Sequence, residues 1–340
     1  MIIRTVADIS RFPGAQSLRI PCIAAKGKNV SLLFECRYSR SDWAEISVIL
    51  CGSTDGGENF DKTAVVADGE NEHTTYNNPV AAYGKDGILR AVFCREYGVT
   101  ERNGGVFCRD FLNCEPVSPI RDISYVAKEC ACNVFAVGPT AGFFTSQGTF
   151  AVPVWYVLKS ADGEITAHHP GRIRMLFGSE NGEVWTLSEE IPLGEVTDPN
   201  ESSAALLSDG RIYVTVRDGE TPCRCFSVFD PETGAASPIK TEPGLVDPIC
   251  CGAVCSAHYN GKDYLLLSNC ADSSERRNLC VSVSDDGGRT WRHGITVTEG
   301  AAGYSDIAFD GTDTVLVFFE SDSGEVLRLA RVNIAEIIGE

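Results

Sequence analysis

Three arginines, four carboxylates and one tyrosine stand out as polar residues that border or interrupt the chain's apolar, β-rich runs. The arginines are Arg19 in Leu18-Arg19-Ile20-Pro21, Arg217 in Thr215-Val216-Arg217 and Arg276 in Arg276-Arg277-Asn278-Leu279. The carboxylates are Glu35 in Phe34-Glu35-Cys36-Arg37, Asp42 in Ser41-Asp42-Trp43, Glu201 in Pro199-Asn200-Glu201-Ser202 and Glu320 in Phe318-Phe319-Glu320. The tyrosine is Tyr304 in Gly303-Tyr304-Ser305-Asp306. Guanidinium groups can grip a carboxylate through charge-assisted, partly bidentate bonds. Close cations repel one another, so carboxylates must hold them. A carboxyl group can also move a proton at a reacting atom. A tyrosine becomes a nucleophile when a base takes its proton as it attacks. Taken singly, each residue has a plainer reading. An arginine is a surface ion pair, Glu201 a cap after Asp198-Pro199, Asp42 a turn residue before a strand, and Tyr304 packing in a Gly-rich turn.

Residues this far apart can act together only on a scaffold that converges. The scaffold signal is Ser284-Asp285-Asp286-Gly287-Gly288-Arg289-Thr290-Trp291, which fits S-x-D-x-G-x-T-W. Its Ser and Asp can bond the backbone of a tight turn, Gly permits positive φ, and Trp can pack between sheets. Ser53-Thr54-Asp55-Gly56-Gly57-Glu58-Asn59-Phe60 is a second copy, with Asn for Thr and Phe for Trp. Ser179-Glu180-Asn181-Gly182-Glu183-Val184-Trp185 is a third, one residue short. Each follows an apolar run, so each sits on a strand-turn-strand unit. Further hairpins are marked by Asp86-Gly87, Asp162-Gly163, Asp209-Gly210 and Asp310-Gly311. The turn motifs lie more than about a hundred residues apart, roughly two propeller blades. The chain is therefore expected to be all-β: one domain over residues 1–340, a six-bladed β-propeller of four-stranded antiparallel sheets.

The net charge is −18 and 43% of residues are apolar. Such acidity argues against nucleic acid or an anionic membrane as partner. It also requires any anion-binding site to concentrate the arginines at one place. Met1-Ile2-Ile3-Arg4 leads into a polar stretch rather than an apolar signal region. There are fifteen cysteines, with no C-x-x-C pair, and the histidines (His73, His168, His169, His258, His293) do not interleave with them. No metal site is expected from this pattern. The cysteines read as reduced, small apolar residues in a cytoplasmic protein.

In order and spacing, these segments resemble the sialidase (neuraminidase) family with its Asp-box, or BNR, repeats, from about Arg19 to Glu320. Leu18-Arg19-Ile20-Pro21 is similar to the family's R-I-P motif, Phe34-Glu35-Cys36-Arg37 to its E-x-R segment, and Gly303-Tyr304-Ser305-Asp306 to its nucleophile segment. The resemblance implies an exo-α-sialidase acting on sialylated glycans without cofactor or metal. It implies that Tyr304 is the nucleophile, Glu201 its base and Asp42 the acid/base. Arg19, Arg217 and Arg276 would grip the substrate carboxylate, with Arg276 favoured over Arg277 by its spacing to Asn278. Glu320 would pair with Arg19, with Glu35 a second candidate. Arg37, Asn78 and Trp43 would shape the pocket, Arg37 at the C4 substituent. Trp155 reads as core. Cys270 stands where the family often has proline. Alternatives on the same scaffold are a trans-sialidase, a hydrolase of another nonulosonic or 2-keto sugar acid, or a propeller lectin without turnover. The lectin would need only the arginines.

Overall fold

The computed structural model describes residues 1–69, 74–97, 101–158 and 169–340. His73, His168 and the Asp162-Gly163 turn lie outside them. The described residues form mainly antiparallel strands, with two short α-helices at Tyr125–Lys128 and Ile334–Ile338 and two 3-10 turns at Ile9–Arg11 and Asp322–Gly324. No described helix is long and apolar enough to cross a membrane.

The strands form five hydrogen-bonded sheets rather than the six separate blades expected. The difference lies in a nine-stranded sheet, where Ile46–Ser53 and Thr75–Tyr83 meet through one parallel pair, Ile46 with Thr75. On either side of that pair, Ser17–Lys26 leads one antiparallel group and Thr75–Tyr83 another. Three sheets have four strands and one has five, led by Cys132–Val137. The last four-stranded sheet joins the chain's beginning to its end, because Ile2–Asp8 pairs with Val326–Asn333. That pairing protects an edge that would otherwise be open. Sheets packed on both faces give continuously buried strands, and all eight residues of Ile46–Ser53 are buried.

The three turn motifs are scaffold. Ser284 Oγ accepts the Gly288 N–H at 2.9 Å, and Asp286 accepts the Thr290 N–H at 3.0 Å. Ser53 and Asp55 repeat both bonds with Gly57 and Asn59, each at 3.0 Å. In the third copy, Ser179 Oγ accepts the Val184 N–H at 3.0 Å. Trp291 packs on Tyr213 of the preceding sheet, their rings 5.8 Å apart. Gly87, Gly210 and Gly311 all have φ between 81° and 88°, as their Asp-Gly turns require.

Strand direction determines where the polar interruptions gather. Arg19, Asn78 and Glu201 stand near the starts of the strands that lead their groups, and Tyr304 directly precedes Ser305–Phe309. Arg37, Arg217 and Glu320 stand at or near the ends of the next, antiparallel strands. Asp42 lies in the loop that follows Arg37, and Arg276 just before Arg277–Ser284. Alternating directions therefore bring all of them to one face, while the turn motifs follow strands that run to the other. Three leading strands carry a register shift at this end: Arg19/Cys22, Asn77/Val80 and Pro199/Ser202. Such bulges re-aim side chains.

Asp306 ties the centre together. It is buried, and its carboxylate accepts N–H groups from Ile23 (2.7 Å), Ala141 (2.8 Å) and Ile307 (2.8 Å), drawn from two sheets and the loop after Cys132–Val137. Burial pushes its pKa up to about 7, against the pull of these donors. A carboxyl raised above its ordinary 3.8 stabilises the fold most at low pH, and loses that contribution as pH rises through the folded value. The stability of the wild type relative to Asp306→Asn should therefore fall by about 2–4 kcal/mol between roughly pH 4 and pH 8. Urea unfolding of both proteins across that range checks this, and a constant difference would contradict it.

Candidate active site

Tyr304 lies at the centre of the polar face, with its side chain buried among Ile20, Cys250 and Cys251. Its hydroxyl donates to Glu201, 2.6 Å from Oε2 and 2.8 Å from Oε1. Arg217 Nη1 donates to the same hydroxyl at 2.9 Å and is ion-paired with Glu201. Burial above all, then the charge of Glu201, holds the Tyr304 hydroxyl well above its ordinary value of 10. Free tyrosinate is thus disfavoured, and the adjacent carboxylate is placed to take the proton during attack.

Two more guanidinium groups lie over the Tyr304 ring. Arg19 Cζ is 5.2 Å from its centroid and Arg276 Cζ is 5.4 Å. Arg19 Nε bonds Glu320 at 2.7 Å, and the same carboxylate accepts the Ile20 N–H at 2.9 Å and the Tyr304 N–H at 3.2 Å. Burial lowers the Arg19 pKa, but Glu320 more than offsets it and leaves the group above its ordinary range. Gly303 makes this approach possible, since a Cβ there would lie 2.2 Å from Glu320 Oε2. Arg276 has no ion pair among the described residues, so one cation of the three remains open to a ligand. Arg277 is exposed and turned away, bonded to Asp272 at 2.8 Å. A cleft of about 270 Å³ opens here, lined by Arg19, Arg276, Gly303 and Glu320 and by the Asp322-Ser323-Gly324 turn.

Glu35 pairs with Arg37 rather than with Arg19. Arg37 Nε lies 2.7 Å from Glu35 Oε2, and Glu35 Oε1 accepts the Asn78 N–H at 2.8 Å. Arg37 Nη1 is ion-paired with Asp42, which stands on the exposed loop. Trp43 is partly buried beside it, its N–H on Ser41 Oγ at 3.2 Å. Asn78 is buried and enters the site through its backbone, with φ of 49°. Trp155 is buried in the largest apolar cluster.

Some neighbours carried no assigned role in the sequence. Cys250 and Cys251 pack on Tyr304, and only the crowding of Cys250, Cys251 and Cys255 marked that segment. Arg224 is buried, donating to the Cys250 carbonyl at 2.8 Å. None of the fifteen cysteines forms a disulfide among the described residues. Among the described residues, no cluster of three or more His, Cys, Asp or Glu side chains is arranged to hold a metal ion.

The arrangement gathers Arg19, Arg217 and Arg276 around a tyrosine–glutamate pair, on a propeller-like β scaffold. The chain belongs to the BNR repeat-like domain family, whose model matches residues 38–317. A sialidase of Bacteroides fragilis is 23% identical over 338 residues, covering 90% of this chain and 60% of that protein. A sialidase of Micromonospora viridifaciens is 24% identical over 171 residues, covering 48% of this chain and 26% of that protein. The chain thus spans about 60% of the length of the first relative. Among solved structures, the Hadza microbial sialidase Hz136 superposes with a TM-score of 0.81 at 17% identity, covering 95% of this chain and 67% of the other. The Trypanosoma rangeli sialidase gives 0.75 at 15% identity, covering 95% and 56%. The NanB sialidase of Streptococcus pneumoniae gives 0.77 at 12% identity, covering 99% and 71%. These likenesses support the fold.

Proposed function

We propose that the protein is an exo-α-sialidase that releases terminal α-linked sialic acids with retention of configuration, using Tyr304 as nucleophile. The observation that carries this reading is the Tyr304 hydroxyl bonded to both Glu201 oxygens beneath Arg19 and Arg276. A sialic acid bears a carboxylate on its anomeric carbon. Arg19, Arg217 and Arg276 receive that carboxylate. A carboxylate nucleophile would meet like-charge repulsion there, whereas a neutral tyrosine does not. Glu201 takes the phenolic proton as Tyr304 Oη bonds the anomeric carbon, and Asp42 gives its proton to the departing glycosidic oxygen. Water then attacks the same carbon and Asp42 takes its proton. The bond to Tyr304 breaks, and Glu201 returns the proton to the phenolate. Two inversions give net retention.

The Tyr304–Glu201 pair favours this reading over a lectin, which has no use for a base on a buried phenol. Proton NMR of the first product from a sialoside tests it. The α-anomer is expected to appear first and then mutarotate. First appearance of the β-anomer would exclude a two-step mechanism, and an absence of any released sugar would remove the activity itself.

A further inference from the structure

We infer that Thr75 is a positioning residue for the acid, its hydroxyl holding the Asp42 loop in place from the neighbouring group of strands. This rests on the sialidase reading of the site and goes beyond it. Asp42 stands in the loop between Asn29–Arg37 and Ile46–Ser53, and its side chain is 60% exposed. An exposed carboxylate on a loose loop samples many positions, whereas proton transfer demands one. Bonds within the loop give it shape without fixing its place. Ser39 Oγ accepts the Ser41 N–H and Ser41 Oγ accepts the Trp43 N–H, each at 3.2 Å. The base of the loop is closed by the Tyr38 N–H on the Glu45 carbonyl at 3.2 Å. Thr75 adds a tie from outside. Its Oγ1 donates to the carbonyl of Ala44, two residues after Asp42.

Thr75 is a firm point to tie to. It is wholly buried, and its branched Cβ restricts its rotamers. It opens the strand Thr75–Tyr83 and stands beside Ile46 in the parallel pair, where the Ile46 N–H also donates to the Thr74 carbonyl at 3.3 Å. Tyr76, next in the strand, packs on the Phe93 ring at 5.8 Å and under the Arg95 guanidinium at 5.5 Å. Three residues after Thr75, the Asn78 N–H holds Glu35 at 2.8 Å. One strand end thus fixes both flanks of the acid loop, the strand before it through Glu35 and its far end through Ala44. A buried hydroxyl is costly unless it is bonded, and the Ala44 carbonyl meets that need. The parallel pair therefore has a use beyond joining two groups of strands, because it brings a side-chain donor to the loop that carries the acid.

Leaving-group dependence tests this, because only help given to the departing oxygen depends on what departs. Sialyl-lactose needs protonation of its leaving sugar, whereas a 4-methylumbelliferyl sialoside needs it far less. Asp42→Asn sets the scale, and should lower kcat/KM on sialyl-lactose about 10²–10⁴-fold with a much smaller loss on the aryl substrate. Thr75→Val keeps the shape and removes the hydroxyl. It should lower the sialyl-lactose to aryl rate ratio about tenfold or more, since a small displacement of a reacting group is enough for that. Thr75→Ala should repeat this result, and Thr75→Ser, which keeps the hydroxyl, should hold the ratio within about threefold of wild type. Added to Asp42→Asn, the Thr75→Val change should cost no more than roughly a further twofold on sialyl-lactose, because both remove one function. Equal losses on both substrates for Thr75→Val and Thr75→Ala would make the hydroxyl merely structural and overturn the inference. So would a ratio in Thr75→Ser as low as in Thr75→Val, or losses that multiply in the double variant. A flat leaving-group response in Asp42→Asn would remove the acid assignment itself, and the inference with it. A wild type that releases no sialic acid from either substrate would remove the sialidase reading on which both stand.

Discussion

Replacing Tyr304 by Phe is expected to lower kcat by roughly 10³-fold or more while the folded site still binds its ligand. The change removes one oxygen. The ring remains beneath Arg19 and Arg276, which lie 5.2 and 5.4 Å from its centroid. What disappears is the atom that Glu201 holds from two sides and that Arg217 contacts at 2.9 Å. Glu201 keeps its ion pair with Arg217, so no carboxylate is stranded. The affinity for 2-deoxy-2,3-didehydro-sialic acid should change by about fivefold at most, the scale of one hydrogen bond. Steady-state kinetics and calorimetry together check this. A 3-fluorosialyl fluoride should label the wild type on the peptide carrying Tyr304, and a label on any other residue would refute the assignment. Near-wild-type turnover in Tyr304→Phe would do the same.

Much of this arrangement was legible because the chain marks its strand ends with local signals. Polar residues within or bordering apolar runs singled out Arg19, Glu201, Arg217 and Tyr304, and the turn motifs supplied the strand directions that bring them to one face. Pairings between distant strands were harder to read. Glu320 and Glu35 were both candidates for Arg19, and the choice depends on a contact across 301 residues. It is decided when Ile2–Asp8 closes onto Val326–Asn333 and brings the last sheet beside the first. Glu35, released from that role, engages Arg37 two residues away. The number of separate sheets depended on a single parallel pair, Ile46 with Thr75, which no local pattern encodes. Asp306 was visible as a residue but not as a tie between sheets, because its three partners are backbone N–H groups. The cysteines offered no such difficulty for pairing. An odd count with no C-x-x-C pair pointed to thiols rather than disulfides, and no disulfide forms among the described residues.

Arg276 and Arg277 are adjacent in sequence and are expected to behave oppositely when each is replaced by alanine. Arg276→Ala should weaken 2-deoxy-2,3-didehydro-sialic acid binding by about 2–5 kcal/mol, the cost of removing one partner from a desolvated charge pair. That is roughly a thirtyfold to several-thousandfold loss. Arg277→Ala should leave binding within about twofold, because an exposed ion pair contributes little. The reason is geometric. Arg277 opens the strand Arg277–Ser284 and spends its charge on Asp272 at 2.8 Å and Glu275 at 3.3 Å. Arg276 lies over the Tyr304 ring, with no carboxylate of its own among the described residues. Arg19 and Arg217 are each already paired, with Glu320 and Glu201. Arg276 is therefore the cation whose charge a ligand carboxylate would compensate most fully, and its removal should cost at least as much as removal of either of the others. Inhibitor titrations of the three single arginine variants and Arg277→Ala decide the order. An unchanged Arg276→Ala beside a defective Arg277→Ala would transfer the role to Arg277 and reverse the orientation described for this turn.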